Sequence, residues 1–138
     1  RDVGHAINDM SHHKHSQYIV ANSDLAGFTD LERLQVAALC RYHRKSLPTS
    51  RHTDFLGMSP DAQRLVVVLA PILRIADALD RSREQRVHSI SCDLRGGALA
   101  ITLTSTEDAS LEQWAVERTA PDFRQVYQKP LTVVAEKP

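Results

Sequence analysis

The chain is organised around the stretch Leu73-Arg74-Ile75-Ala76-Asp77-Ala78-Leu79-Asp80-Arg81. With the apolar residues before it, this stretch has the period of a helix that buries a wide face. Asp77 falls at the edge of that face, where a carboxylate is costly unless a cation satisfies it. Because Arg74 and Arg81 lie within reach of Asp77 along a helix surface, the simplest interpretation is an ion-pair ladder on one helix.

Composition excludes several classes of protein. The chain has 138 residues, 42% hydrophobic and 25% charged, which is typical of one soluble globular domain or one domain with a small appendage. Its 17 basic and 17 acidic residues cancel, so a nucleic-acid or membrane-surface role has no electrostatic support. No apolar run reaches transmembrane length and no signal peptide is visible, so we expect a cytoplasmic protein.

The two cysteines and the first residues need separate comment. Cys40 and Cys92 form no CxxC pair, so neither a zinc knuckle nor a disulfide framework is indicated, and we expect both to pack in the core. The chain opens on Arg1-Asp2-Val3-Gly4 without Met or a helix start signal. We therefore expect it to be a fragment of something longer.

Local signals before residue 88 predict a helical body. Thr29 and Glu32 form a capping box, which predicts a helix from there to about residue 45. Ser59-Pro60 predicts the start of a long helix that Pro71 kinks or breaks. The other predictions are the end of a helix at 1–10, a helix at 12–22 that Ser11 begins, and a loop at 48–58.

Beyond Val87 the apolar period changes from helical to alternating. Strands are predicted at 89–94 and 98–103, joined by a hairpin turn at Gly96-Gly97. Residues 109–128 are predicted to be helical, with Pro121 at the start of a second segment and Trp114 as an anchor, and 131–134 to add a third strand. The predicted fold is mainly α, with a helical domain at 1–87 and a small α+β appendage at 88–138.

Imidazole and carboxylate groups recur in the helical part. Six of the seven histidines precede residue 53, and residues 1–88 carry the excess of positive charge, so an anion site is expected there. One polar residue falls within or beside the apolar pattern of each predicted helix: Asp2, His15, His43 and Asp77. These groups bind divalent Mn, Fe, Co, Ni or Zn, and helices in a bundle can bring them together. A single histidine in a helix is more often a packing residue.

Four phrases carry a resemblance to a known family: Asp2-Val3-Gly4-His5, His12-His13-Lys14-His15-Ser16, Arg41-Tyr42-His43-Arg44-Lys45 and residues 74–81. Together with Asn22-Ser23-Asp24-Leu25-Ala26-Gly27-Phe28, they resemble the C-terminal HD-like domain of the exopolyphosphatase/guanosine pentaphosphate phosphohydrolase (Ppx/GppA) family. The resemblance implies that the helical part is an HD-like bundle. It covers residues 1–87 strongly and the tail more loosely.

The resemblance also implies roles for single residues. Asp2 matches the Asp of the HD pair, Asp77 the final Asp, and His15 and His43 the extra histidines of two-metal HD proteins. Arg1 stands where the His of the pair belongs, which weakens metal binding and replaces part of the charge of a metal. In the family, catalysis belongs to N-terminal actin-like ATPase-type domains, with Mg²⁺ expected, and the HD-like domain helps to bind polyphosphate.

Three functions remain open. The first is a non-catalytic module of a phosphoric anhydride hydrolase that binds polyphosphate or guanosine pentaphosphate through bidentate guanidinium groups and other cations. The residues of this basic groove would be Lys14, Arg41, His43, Arg44, Lys45, Arg74 and Arg81. The second is a metal-dependent HD phosphohydrolase, with His5 near the phosphate. The third is a structural or homodimerisation domain.

Overall fold

A computed structural model describes all 138 residues, and it divides into two compact units, Arg1–Ala70 and Pro71–Pro138. The boundary between these units falls inside helix α4 (Pro60–Ala78). The division into domains after residue 87 stays a prediction. Pro71 does not end this helix, so the break that the sequence allowed there is absent. No helix is both long enough and apolar enough to cross a membrane.

The first unit consists of helices. Its elements are a 3₁₀ turn (Val3–Ala6), α1 (His12–Ala21), α2 (Asp30–Tyr42), the short α3 (Thr53–Leu56) and the first part of α4. The predicted helical body is confirmed, with differences in detail. Residues 1–10 hold only a 3₁₀ turn, the predicted loop 48–58 contains α3, and α2 ends at Tyr42 rather than near Lys45.

Two caps show how the sequence begins these helices. The Glu32 amide donates to Thr29 Oγ1 at 3.3 Å and the Thr29 amide donates to Glu32 Oε2 at 2.8 Å, so the predicted capping box is confirmed. Ser59 Oγ accepts from the Ala62 amide at 3.3 Å, as expected for the start of α4. Ser11 precedes α1 but takes a left-handed conformation and makes no side-chain cap, contrary to its predicted role.

The 3₁₀ turn is held against α1 by close backbone packing. Gly4 is buried, and its amide donates to Ser16 Oγ at 2.8 Å. A Cβ at Gly4 would lie 2.1 Å from the His12 carbonyl oxygen, so only glycine allows this approach. The contact fixes residue 2 beside the start of α1.

The second unit is a three-stranded sheet with two helices. Strands β1 (Ser89–Arg95) and β2 (Ala98–Thr104) form the predicted hairpin, closed by the pair Arg95–Ala98. Gly96 and Gly97 have φ values of 56° and 80°, which a two-residue primed turn requires. Strand β3 (Leu131–Glu136) adds to β2 in parallel, so the third predicted strand is confirmed.

Helices α5 (Ser110–Glu117) and α6 (Ala120–Tyr127) connect β2 to β3, as a parallel pair requires. The core of this unit lies between them and the sheet, and its buried members are Ile75, Ala78, Ile101, Leu103, Ala115, Val116, Phe123 and Val133. Trp114 is 51% exposed and lies under the Arg118 guanidinium, so it does not anchor the helix in the core. Cys92 is exposed on β1 instead of buried, whereas Cys40 is buried as predicted.

One pair of the predicted ion-pair ladder is described by its distance. Arg81 Nη1 lies 3.8 Å from Asp77 Oδ2. Arg74 is buried, and its Nη1 donates to Asp122 Oδ2 on α6 at 2.5 Å. A buried guanidinium needs a charged partner, and α6 supplies one that the helical spacing alone could not predict.

Candidate metal and phosphoanion site

Three side chains of the first unit converge on one point: Asp2, His12 and His43. Asp2 precedes the 3₁₀ turn, His12 begins α1, and His43 caps the C-terminus of α2. The Nε2 atoms of the two histidines are 3.3 Å apart. Asp2 Oδ1 lies 3.8 Å from His12 Nε2 and 3.9 Å from His43 Nε2.

Backbone carbonyls fix the orientation of both imidazoles. His43 Nδ1 lies 2.7 Å from the Cys40 carbonyl oxygen, and His12 Nδ1 lies 3.2 Å from the Asp9 carbonyl oxygen. A carbonyl can only accept, so each Nδ1 carries a hydrogen, and in the neutral form each ring presents the lone pair of Nε2 to the other. Histidines that bind a metal are oriented in the same way, by donating their other ring N–H to a carbonyl or carboxylate.

The cluster fits a divalent cation. Two nitrogens bound to one tetrahedral Zn²⁺ at about 2.0–2.1 Å lie roughly 3.3 Å apart, close to the separation of the two Nε2 atoms. Both rings are buried. Burial lowers the pKa of His12 and outweighs the hydrogen bond to the Asp9 backbone, which raises this pKa. For His12, the neutral form that ligates a metal is therefore favoured at neutral pH. A cation or a shared proton between the rings satisfies both lone pairs.

Positive charge borders the cluster. Arg44 Nη1 lies 3.4 Å from both ring nitrogens of His12. Burial, helped by Arg41 and Arg44, lowers the pKa of the adjacent His13 to about 4. Arg1 forms an ion pair with Asp2 through Oδ2, while Oδ1 faces the imidazoles. Arg44 therefore places positive charge beside the His12 ring.

His5 also belongs to this neighbourhood. Its ring stacks on His12 with 3.8 Å between centroids, its Nδ1 lies 2.6 Å from Asp9 Oδ1, and its Nε2 lies 3.9 Å from Asp2 Oδ1. The carboxylate of Asp9 thus orients the His5 ring toward Asp2. The sequence named His5 only as a phosphate contact.

The structure brings together two of the four predicted metal ligands, Asp2 and His43, with His12 as the third member. His15 is not part of the group, and Asp77 lies in the second unit. The sequence offered a signal for His12, because His12 and His15 are three residues apart and lie on nearly the same helix face. Only the docking of the 3₁₀ turn through Gly4 and Ser16 distinguishes them.

The predicted basic residues are divided between the units. Lys14, Arg41, Arg44 and Lys45 belong to the first unit, where Arg41 is half-buried and the others are exposed. Arg74 and Arg81 belong to the second, where Asp122 and Asp77 respectively pair with them.

Comparison with known proteins identifies the family. The chain is 31% identical over 86 residues to a guanosine-5'-triphosphate,3'-diphosphate pyrophosphatase of Pseudoalteromonas translucida (strain TAC 125). That match covers 62% of this chain and 16% of the relative, so the chain corresponds to a small part of the longer protein. The family model described as Ppx/GppA phosphatase, domain III, matches residues 1–120. The chain therefore belongs to the domain III family of the Ppx/GppA phosphatases.

Proposed function

We propose that this domain binds the phosphoanion substrate of a Ppx/GppA-type phosphohydrolase and that the catalytic centre lies on other domains of that enzyme. The candidate ligands are inorganic polyphosphate and guanosine pentaphosphate. The name of the relative from Pseudoalteromonas translucida refers to guanosine-5'-triphosphate,3'-diphosphate, which supports guanosine pentaphosphate as a ligand. The observation that carries the proposal is the cluster Asp2, His12 and His43 with the guanidinium of Arg44 beside it.

The chemistry of this site suits a phosphate chain. Guanidinium groups donate in bidentate pairs to phosphate oxygens, and a divalent cation held by two imidazoles and one carboxylate leaves coordination positions for further oxygen ligands. Asp2, His12 and His43 would hold the cation, which would neutralise charge on the phosphate, while Arg41 and Arg44 would bind neighbouring oxygens. Such binding weakens as ionic strength rises.

A double charge reversal tests this proposal. The double variant Arg41→Glu, Arg44→Glu should abolish binding of a fluorescent polyphosphate. Anisotropy titrations measure this binding twice, once with Mn²⁺ and once with a chelator. Arg64→Glu is the matched control, because Arg64 is 76% exposed on α4 and pairs only weakly with Asp61 at 3.7 Å. The melting temperature of each variant shows that it is folded. Unchanged polyphosphate affinity in the double variant would contradict the proposal.

A second candidate function is that of a metal-dependent HD-type phosphohydrolase, which the three convergent ligands favour. Elemental analysis for Mn, Fe, Co, Ni and Zn after dialysis against a weak chelator tests it. This function requires about one metal per chain and a phosphatase activity that His43→Ala removes. Hydrolysis by metal-free protein would refute the metal mechanism, and a chain with neither metal nor polyphosphate binding would indicate a structural domain.

A further inference from the structure

A pocket with apolar walls lies between α1, α2 and α3 of the first unit, and its volume is about 270 Å³. Its apolar lining includes Leu31, Leu34, Ala37, Ala38, Phe55 and Met58. Small-molecule sites in proteins commonly measure about 300–1,000 Å³ and have such a lining, with a few polar groups that orient the ligand. The size of this pocket therefore suits an organic molecule smaller than a typical drug.

The pocket has a buried floor and an exposed apolar rim. Ala37, Ala38 and Phe55 are buried, whereas Leu31 is 49% exposed and Leu34 is 45% exposed. Leu31 and Leu34 are three residues apart on α2, so their side chains lie on one face of that helix. An apolar group in the pocket would remove both leucines from water, which favours binding.

Two aromatic rings form part of the floor. Tyr42 and Phe55 are both buried, and their ring centroids are 6.0 Å apart in an edge-to-face arrangement. Tyr42 packs in the same way against His52, at 5.2 Å between centroids, so its ring is also held from outside the pocket. The faces of aromatic rings attract cations as well as apolar groups. The floor is therefore better suited to a cationic organic molecule than to an anion.

One charged residue, Asp54, lines the pocket. Its Oδ2 accepts from Gln17 Nε2 at 3.4 Å, near the distance limit of a hydrogen bond, and it forms no ion pair with a lysine or arginine. Burial raises the pKa of Tyr42, Arg41 lowers it, and the carboxylate of Asp54 raises it. The negative charge of Asp54 therefore reaches the aromatic floor, and none of the residues that line the pocket is basic.

We propose that this pocket binds an organic cation with an apolar body, such as an arylalkyl amine. The apolar body would fill the pocket and cover Leu31 and Leu34, and the ammonium group would donate to the carboxylate of Asp54. A charge-assisted hydrogen bond of this kind is stronger than one between neutral groups. The same carboxylate repels a phosphoanion, so this ligand class differs from that of the proposed function.

The pocket is separate from the cluster of Asp2, His12 and His43. None of these three residues lines the pocket, although Tyr42 precedes His43 in the chain. A test with an amine therefore addresses this pocket alone. Its result does not depend on whether the domain binds a metal or polyphosphate.

A pair of probes of nearly equal shape tests the role of charge. Tryptamine carries an ammonium group at neutral pH, and tryptophol has a hydroxyl group in its place. Isothermal titration calorimetry of the full chain at low ionic strength should show tryptamine binding about fivefold more tightly than tryptophol. The difference is modest because Asp54 is exposed and water screens part of the attraction. Heteronuclear NMR spectra should show the largest amide shifts at Ala37, Ala38 and Gly57, which line the pocket.

Two pairs of variants separate charge from shape. Asp54→Asn removes the charge but keeps an oxygen that can accept from Gln17, so tryptamine should then bind about as weakly as tryptophol. Its matched control is Asp61→Asn, because the Asp61 side chain is 93% exposed on α4 and lies outside the pocket. Leu34→Ala should weaken both probes by about fivefold, whereas Leu65→Ala, at a similarly exposed leucine outside the pocket, should leave both affinities unchanged. The melting temperature of each variant shows that it is folded.

The outcomes are distinct. A preference for tryptamine that Asp54→Asn abolishes, with weaker binding of both probes to Leu34→Ala, supports the proposal. A wild-type chain that binds neither probe at a few millimolar overturns it. Equal affinities of the two probes for the wild type, or a preference that persists in Asp54→Asn, also overturn it, because Asp54 would then not select the ligand. Binding that Leu34→Ala leaves unchanged overturns it as well, because the probes would then bind elsewhere.

Discussion

Replacing Gly4 by alanine should separate the 3₁₀ turn from α1. The new Cβ would lie 2.1 Å from the His12 carbonyl oxygen and 2.5 Å from the Ser16 amide nitrogen. Both atoms are backbone atoms of α1, so neither can rotate away. To reach ordinary contact distances, the turn would have to move by about 1 Å.

The cost can be worked out from these contacts. Overpacking of this kind costs about 1–3 kcal/mol. The shift also breaks the hydrogen bond from the Gly4 amide to Ser16 Oγ, which contributes about 1 kcal/mol. We therefore expect a loss of about 2–4 kcal/mol in the free energy of unfolding. Because the turn carries Asp2, the affinity for a divalent metal should also fall, by about 10–100-fold.

The assay is chemical denaturation in a chelator, followed by a Co²⁺ titration read from visible absorbance. Gly57→Ala is the matched control, because its Cβ would lie 3.6 Å from its nearest neighbours and its φ of −71° suits any residue. Ser16→Ala removes the hydrogen bond from the Gly4 amide without introducing a clash. Its free energy of unfolding should therefore lie between those of Gly57→Ala and Gly4→Ala. Equal stability of Gly4→Ala and wild type would refute the packing argument, whether or not Co²⁺ binds.

Three further results are expected. Thr29→Ala should lower the free energy of unfolding by about 1 kcal/mol by removing the capping box, measured by urea denaturation against the exposed control Thr106→Ala. The pKa of His13 is lowered to about 4, so the unfolded state binds more protons between pH 6.5 and 4. In a chelator, the free energy of unfolding should therefore decrease as the pH is lowered from 6.5 to 4, by roughly 3 kcal/mol once the whole window is crossed. The decrease should be smaller in His13→Asn, and an equal decrease in that variant would contradict the assignment to His13. Glu112 is fully buried, and its Oε1 accepts from the Ser82 amide at 2.8 Å, so Glu112→Ala should cost about 2–4 kcal/mol and Glu112→Gln clearly less, as thermal unfolding would show.

The features that sequence predicted well are those fixed by chemistry within a few residues. The capping box at Thr29 and the hairpin turn at Gly96-Gly97 each depend on contacts no more than three residues apart, and both are confirmed. The helical body followed by a three-stranded sheet follows from the change of apolar period after Val87. The four-residue helix α3 was not predicted, because one turn is too short to show a period.

The features that sequence predicted poorly depend on contacts between distant segments. The choice between His12 and His15 rests on the approach of Gly4 to α1. The partner of Arg74 is Asp122, 48 residues away, which no helical spacing could indicate. The alternating pattern of β1 placed Cys92 on the apolar face correctly but could not show that no helix covers that face.

The parallel pairing of β3 determines the order of events when the second unit folds. The β1–β2 hairpin closes between residues three apart, whereas the first β2–β3 pair joins Leu99 to Leu131, 32 residues away. Closing the longer β2–β3 loop costs about 2 kcal/mol more in chain entropy than closing the hairpin. The hairpin can therefore form within microseconds, and β3 pairs only after α5 and α6 have formed. Weakening β3, for example by Val133→Ala, should therefore accelerate unfolding and leave the refolding rate nearly unchanged.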